Sequence, residues 1–149
     1  MISCTSILVA IDFSAASNKA LLYGRELARL LCARLYVIHV VSDVAGAPQE
    51  LEETARTRLQ LLTEDGADRD TSPTVVVRVG SSPAAEILDY VREHPIGLLV
   101  VGSHGLSGFA HVFLGSVAET VVRSATCPVL TVRAEERDFI QPATLSAVG

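Results

Sequence analysis

The stretch Leu98-Leu99-Val100-Val101-Gly102-Ser103-His104-Gly105, followed after nine residues by Gly115-Ser116, decides how this chain is read. Its first four residues form an apolar run of the length and composition of a buried strand. Beyond Gly115-Ser116, the residues Val117, Ala118, Val121, Val122 and Ala125 recur at helical spacing. Glycines between the two leave room for backbone to come close to a ligand. A helix starting near Gly115 aims free N–H groups and its positive dipole end at an anion. Strand, glycine loop and helix in that order are a phosphate-holding arrangement, which makes a nucleotide the leading ligand.

Working outward, strand and helix patterns alternate. Residues Ile7 to Ile11 read as the first strand, closed by Asp12-Phe13-Ser14, and Ala15 to Leu31 carry the apolar spacing of a helix. Leu35 to Val41 read as the second strand. Pro48 suits a first helical turn, and Leu51, Ala55, Leu59 and Leu62 mark a second helix with a narrow apolar stripe. Thr74 to Val79, rich in β-branched residues, predict the third strand. Ser82-Pro83 predicts an N-cap and first helical position, and His94-Pro95 the end of that helix. Leu98 to Val101, a helix over 116–124 and a strand over 128–132 complete five strands and four helices. Regular alternation predicts an open α/β fold, its five-stranded sheet predominantly parallel, with helices on both faces and right-handed crossovers.

The 149 residues suit one domain, taken as 1–134, with 135–149 as a C-terminal tail. The default for that tail is a frayed end, with Phe139 and Ile140 able to dock on the body or on a second subunit. Apolar residues make up 49% of the chain, too many for a disordered protein. No apolar run reaches the roughly 20 residues of a membrane helix, and the opening Met1-Ile2-Ser3-Cys4-Thr5 lacks the basic start of a secretory signal. A net charge of −5 argues against nucleic acid or an anionic membrane as partner. Cys4, Cys32 and Cys127 are scattered and odd in number. They read as small buried hydrophobes in a reducing, cytoplasmic setting.

Ligands of open α/β sheets bind beyond the carboxyl ends of the strands, where strand order reverses. Asp12 ends the first strand and Gly102 the fourth. If both flank one crevice, these strands are neighbours and the order is 3-2-1-4-5. The end of the second strand, His39-Val40-Val41, then lies beside Asp12, with its backbone set to meet a base. Common nucleotide motifs do not fit. No lysine lies between Gly102 and Ser116, so there is no Walker A loop, and Gly102, Gly105 and Gly108 are misspaced for GxGxxG. Val101 stands where a nucleophile elbow needs glycine.

The pattern G-x2-G-x9-G-[ST], met by Gly102, Gly105, Gly115 and Ser116, resembles the ATP-binding branch of the universal stress protein family. Asp12-Phe13-Ser14, His39-Val40-Val41, Gly80-Ser81-Ser82-Pro83 and Ser124-Ala125-Thr126-Cys127-Pro128-Val129-Leu130 extend the resemblance over about residues 3–133. It implies ATP, or ADP or AMP, in the crevice between strands one and four, and a homodimer. It further implies that Asp12 and Val40 lie along the adenosine, with Ala10 and Ile11 meeting the base through their backbone. Gly102, Gly105, Gly115, Ser116 and Val117 would surround the ribose and phosphates. The chain departs from the family at Gly97, where aspartate is common; the expected cost is in local order, not binding.

From Gly102 to Ser116 the only ionisable side chains are His104 and His111. Phosphate charge must then be met by backbone N–H groups, by the Ser103, Ser107 and Ser116 hydroxyls, and by Mg²⁺ or Mn²⁺ held mainly through phosphate oxygens and water. Fast phosphoryl transfer needs a cationic clamp and a group orienting the nucleophile, and neither is visible. No catalytic residue is assigned, and a nucleotide-dependent binder or sensor with little or no turnover is expected. The alternatives are a slow hydrolase or nucleotidyl transferase, and a nucleotide-free protein–protein module. Val129, Leu130 and Val132 give the fifth strand an apolar edge, an independent reason to expect a dimer, with a covering C-terminal tail as the competing explanation.

Overall fold

The computed structural model describes residues 1–43, 48–64, 72–103, 115–135 and 137–140. In chain order they form β1 (Ser6–Ala10), α1 (Ala15–Leu31), β2 (Arg34–Ser42), α2 (Pro48–Glu64), β3 (Thr74–Gly80), α3 (Pro83–Glu93), β4 (Leu98–Ser103), α4 (Ser116–Ser124) and β5 (Val129–Arg133). The strands pair in parallel as one sheet in the order β3-β2-β1-β4-β5, the order expected. Strand ends differ from expectation by a residue or two. β4 runs on through Gly102 and Ser103 because they pair with Val132 and Arg133 of β5.

The side-chain period of two sorts each strand between two cores. On one face Ile7, Val9, Leu35, Val37 and Val100 pack against Ala20, Leu21 and Ala28 of α1 and Leu59 of α2. On the other, Leu8, Ile38, Leu99 and Val101 pack against Ile87, Leu88 and Val91 of α3 and Ala118 and Val121 of α4. β1 is apolar on both sides because both faces of the sheet are covered, as parallel sheets require. Each fully buried aliphatic side chain contributes about 1.5–3 kcal/mol.

Two caps place the helices that border the strand ends. Ser14 Oγ accepts from the Ser17 N–H at 3.2 Å and starts α1. Ser82 does the same for α3 through the Ala85 N–H at 3.3 Å, with Pro83 at the first helical position. Cys32 ends α1 in the left-handed region, φ 53°. That cap turns Cys32 outward and leaves it exposed, whereas Cys4 and Cys127 are half-buried; the expectation of three buried cysteines is corrected here.

The segment after β5 lies along α1. Asp138 Oδ1 takes both the Lys19 ammonium at 2.9 Å and the Tyr23 hydroxyl at 3.0 Å. Phe139 sits edge-on to the Tyr23 ring at 5.1 Å, and Ile140 packs on the α1–α2 core. The Lys19 hydrogen bond, followed by that of Tyr23, holds the Asp138 carboxyl below its ordinary 3.8. A carboxyl depressed on folding stabilises its contact above the unfolded value, and this is lost as pH falls through the folded value. Tyr23 ring resonances are therefore expected to be constant near neutrality and to shift at a pH below 3.8 as the segment detaches. In Asp138→Asn that acid transition should be absent; its persistence would mean another group holds the segment.

Candidate functional site at the carboxyl ends of the strands

A cavity of about 280 Å³ opens where β1 and β4 diverge. Ala10 and Asp12 border it from the end of β1, Val40 from β2, Gly102 from β4, and Gly115, Ser116 and Val117 from the start of α4. Seven residues picked from four separate stretches of sequence thus line one space. Gly105, the eighth, lies outside the described residues, as do His104, Ser107, Gly108, His111 and Phe113.

Asp12 supports the local turn and borders the cavity. Its Oδ1 accepts from the Ser14 N–H at 2.9 Å, while its own N–H donates to Ser17 Oγ at 3.3 Å. Ser17, buried beneath the cavity, also donates to the Ser14 carbonyl. His39 Nδ1 lies 2.7 Å from the Ile11 carbonyl oxygen. That oxygen only accepts, so Nδ1 carries the proton. The bond stitches β2 to the chain leaving β1, just above the backbone bond from Ile11 N–H to the Ile38 carbonyl. His39 is thus satisfied within the fold and still borders the cavity.

The two glycines have different jobs. Gly115 precedes α4 at φ 84° and ψ 146°, a conformation that is essentially glycine's alone. Among the described residues no side chain caps α4, and Gly115, Ser116 and Val117 at its start border the cavity. At Gly102 a Cβ would lie 2.6 Å from Ala16 C and Ser17 N. This glycine exists so that α1 can pass close over β4, a reason the sequence did not disclose. Near the other end of the sheet, the Gly97 N–H donates to the Ser6 carbonyl, so the departure at that position lies away from the cavity.

Sequence reasoning missed Ser17, Ile38, Pro83, Ile87, Val101 and Ala118, which also line the cavity. Pro83, Ile87 and Ala118 carried only the signals of a helix start and a core-facing helix stripe. Chemically, the described residues offer backbone N–H groups, the Ser17 and Ser116 hydroxyls, the Asp12 carboxylate, the His39 imidazole and apolar walls. Among the described residues no group of three or more His, Cys, Asp or Glu is placed to hold a metal ion, and no helix is long and apolar enough to cross a membrane.

The Universal stress protein family profile matches residues 4–133. The Bacillus subtilis universal stress protein YxiE is 33% identical over 145 residues, spanning 85% of this chain and 97% of that protein. Among solved structures, Methanocaldococcus jannaschii MJ0577 superposes with a TM-score of 0.73 at 24% identity, covering 92% of this chain and 99% of its own. A universal stress protein crystallised in complex with cAMP superposes with a TM-score of 0.66 at 26% identity, covering 89% of this chain and 99% of its own. Extending over nearly the whole domain, with the same α/β sheet, these matches place the chain in the universal stress protein family.

Proposed function

We propose that this protein binds an adenine nucleotide in the crevice between β1 and β4 and acts as a nucleotide-dependent binder with little or no turnover. The observation that carries this is the convergence of Ala10, Asp12, Val40, Gly102, Gly115, Ser116 and Val117 on one cavity, beside an α4 start that no side chain of the described residues caps. A family relative that holds cAMP supports the same ligand class. The cavity, about 280 Å³, lies at the lower edge of the roughly 300–1,000 Å³ of small-molecule sites.

Asp12, Ala10 and Val40 meet the adenosine; Gly102, Gly105, Gly115, Ser116 and Val117 meet the ribose and phosphates. The first-turn N–H groups of α4 and the Ser116 hydroxyl suit a polyanion. A divalent cation, Mg²⁺ or Mn²⁺, would offset the remaining charge through phosphate oxygens and water. The absence of Lys and Arg from Gly102 to Ser116 leaves no clamp to drive phosphoryl transfer. We place the protein in the cytoplasm and expect a homodimer paired through β5, whose Val129 and Leu130 are half-buried at the sheet edge.

Calorimetric titration with ATP, ADP, AMP and cAMP, with and without Mg²⁺, tests the binding. Saturation at one site per chain is expected for at least one of them, with ATP turnover well under about one per second, below ordinary enzymes. Failure of all four to saturate would overturn the assignment.

A further inference from the structure

A second cavity, of about 230 Å³, lies between the end of β2 and α2, bordered by Phe13, His39, Val40, Leu51, Thr54 and Arg58 among others. His39 and Val40 border the first cavity as well, so both cavities reach the carboxyl end of β2. Phe13 holds φ 63°, a left-handed conformation that a bulky residue adopts at a cost. That backbone sets its ring against His39, with centroids 4.8 Å apart, and the Arg58 guanidinium lies 3.9 Å from the Phe13 ring centroid. A guanidinium resting on an aromatic face keeps its N–H fork available to an anion. Among the described residues no carboxylate lines this cavity; Glu50 and Glu53 border a separate hollow that shares Arg58 and Thr54. Arg58 is thus the cationic side chain among the described residues of this cavity, with the Phe13 and His39 rings beside it.

The orientation of the nucleotide assigned above, on which this inference rests, directs one part of the ligand here. A purine is joined to ribose at N9, and its opposite edge carries N1 and the 6-amino group. With phosphates at the first turn of α4 and the base beside Asp12 and Val40, that far edge faces the end of β2. We propose that the second cavity is a subsite for an anionic substituent on the 6-amino group, so that the protein prefers N6-carboxyalkyl adenine nucleotides to unmodified ones. Phe13 and His39 pack on the linker, and Arg58 takes a carboxylate through its fork.

The test is titration of the intact protein with AMP, with N6-(1,2-dicarboxyethyl)-AMP and with the neutral N6-butyl-AMP. The dicarboxyethyl derivative is expected to bind about tenfold or more tighter than AMP, matching a charge-assisted hydrogen bond. Arg58→Met should remove that advantage and leave AMP affinity within about twofold, with an unchanged melting curve because Arg58 is exposed. Equal or weaker binding of the dicarboxyethyl derivative would overturn the subsite while leaving the nucleotide site standing. So would an equal gain from the butyl derivative, or a gain that survives Arg58→Met. No binding by any of the three would overturn the nucleotide site and the subsite with it.

Discussion

Replacing Gly115 by valine is expected to abolish nucleotide binding while leaving the protein folded. Gly115 sits at φ 84° and ψ 146°, where a β-branched side chain is strained by about 1–3 kcal/mol. The strain is relieved by moving the backbone ahead of α4. The helix itself stays seated because Ala118 and Val121 bury their side chains in the α3–α4 core. The change therefore falls on the direction of the first-turn N–H groups. Hydrogen bonds to a charged partner contribute about 1.5–3 kcal/mol each, so misaiming two of them costs roughly a hundredfold or more in affinity. Calorimetry beside a thermal melt reads both quantities. Unchanged affinity in a folded Gly115→Val protein would show that α4 does not meet the ligand. Gly115→Ala, with a smaller side chain at the same φ, should lose less.

Gly102→Ala is expected to act in the opposite sense, on stability first. The added Cβ would stand 2.6 Å from Ala16 C and Ser17 N and 2.9 Å from Ala16 O. These are backbone atoms of the first turn of α1, which cannot swing aside as a side chain can. Either α1 lifts or β4 bends away, in a region where Val9 and Val100 are fully buried. Overpacking of this kind costs about 1–3 kcal/mol, occasionally more. Given the backbone obstruction, the upper end is expected, which lowers Tm by roughly 6–12 °C for a domain of this size. Shortening Ala16 to glycine should not rescue the variant, because its side chain is not the obstacle. A melting temperature equal to that of the parent, with affinity alone reduced, would mean that this glycine serves the ligand and not the helix.

These two glycines show how far sequence reading reaches. Both belong to one spaced motif and look alike in the sequence. One is fixed by a positive φ at a helix start and the other by two backbones passing each other. Neither φ nor the proximity of α1 to β4 is encoded locally, so only the folded chain separates them. The same holds for strand ends. Glycine at 102 reads as a break, yet Gly102 and Ser103 stay in β4 because β5 supplies their pairing partners. The tail is a third case. A frayed end is the default reading there, with docking of Phe139 and Ile140 on the body or a second subunit as the alternative, and it is Lys19 and Tyr23, one helical turn apart on α1, that dock Asp138 and Phe139.

The sequence by itself determined the alternation of strands and helices, the order of the sheet and seven of the fifteen described residues that line the crevice. It could do so because apolar periodicity, caps and glycine spacing are local signals, and because parallel strands joined by helices allow few topologies. Only the tertiary structure decided that the α1 backbone lies within 3 Å of where a Cβ at Gly102 would stand, that Cys32 faces outward, and that Arg58 lies over Phe13 beside a second cavity that shares His39 and Val40 with the first. Those outcomes depend on contacts between residues far apart in the chain, and no local pattern records them.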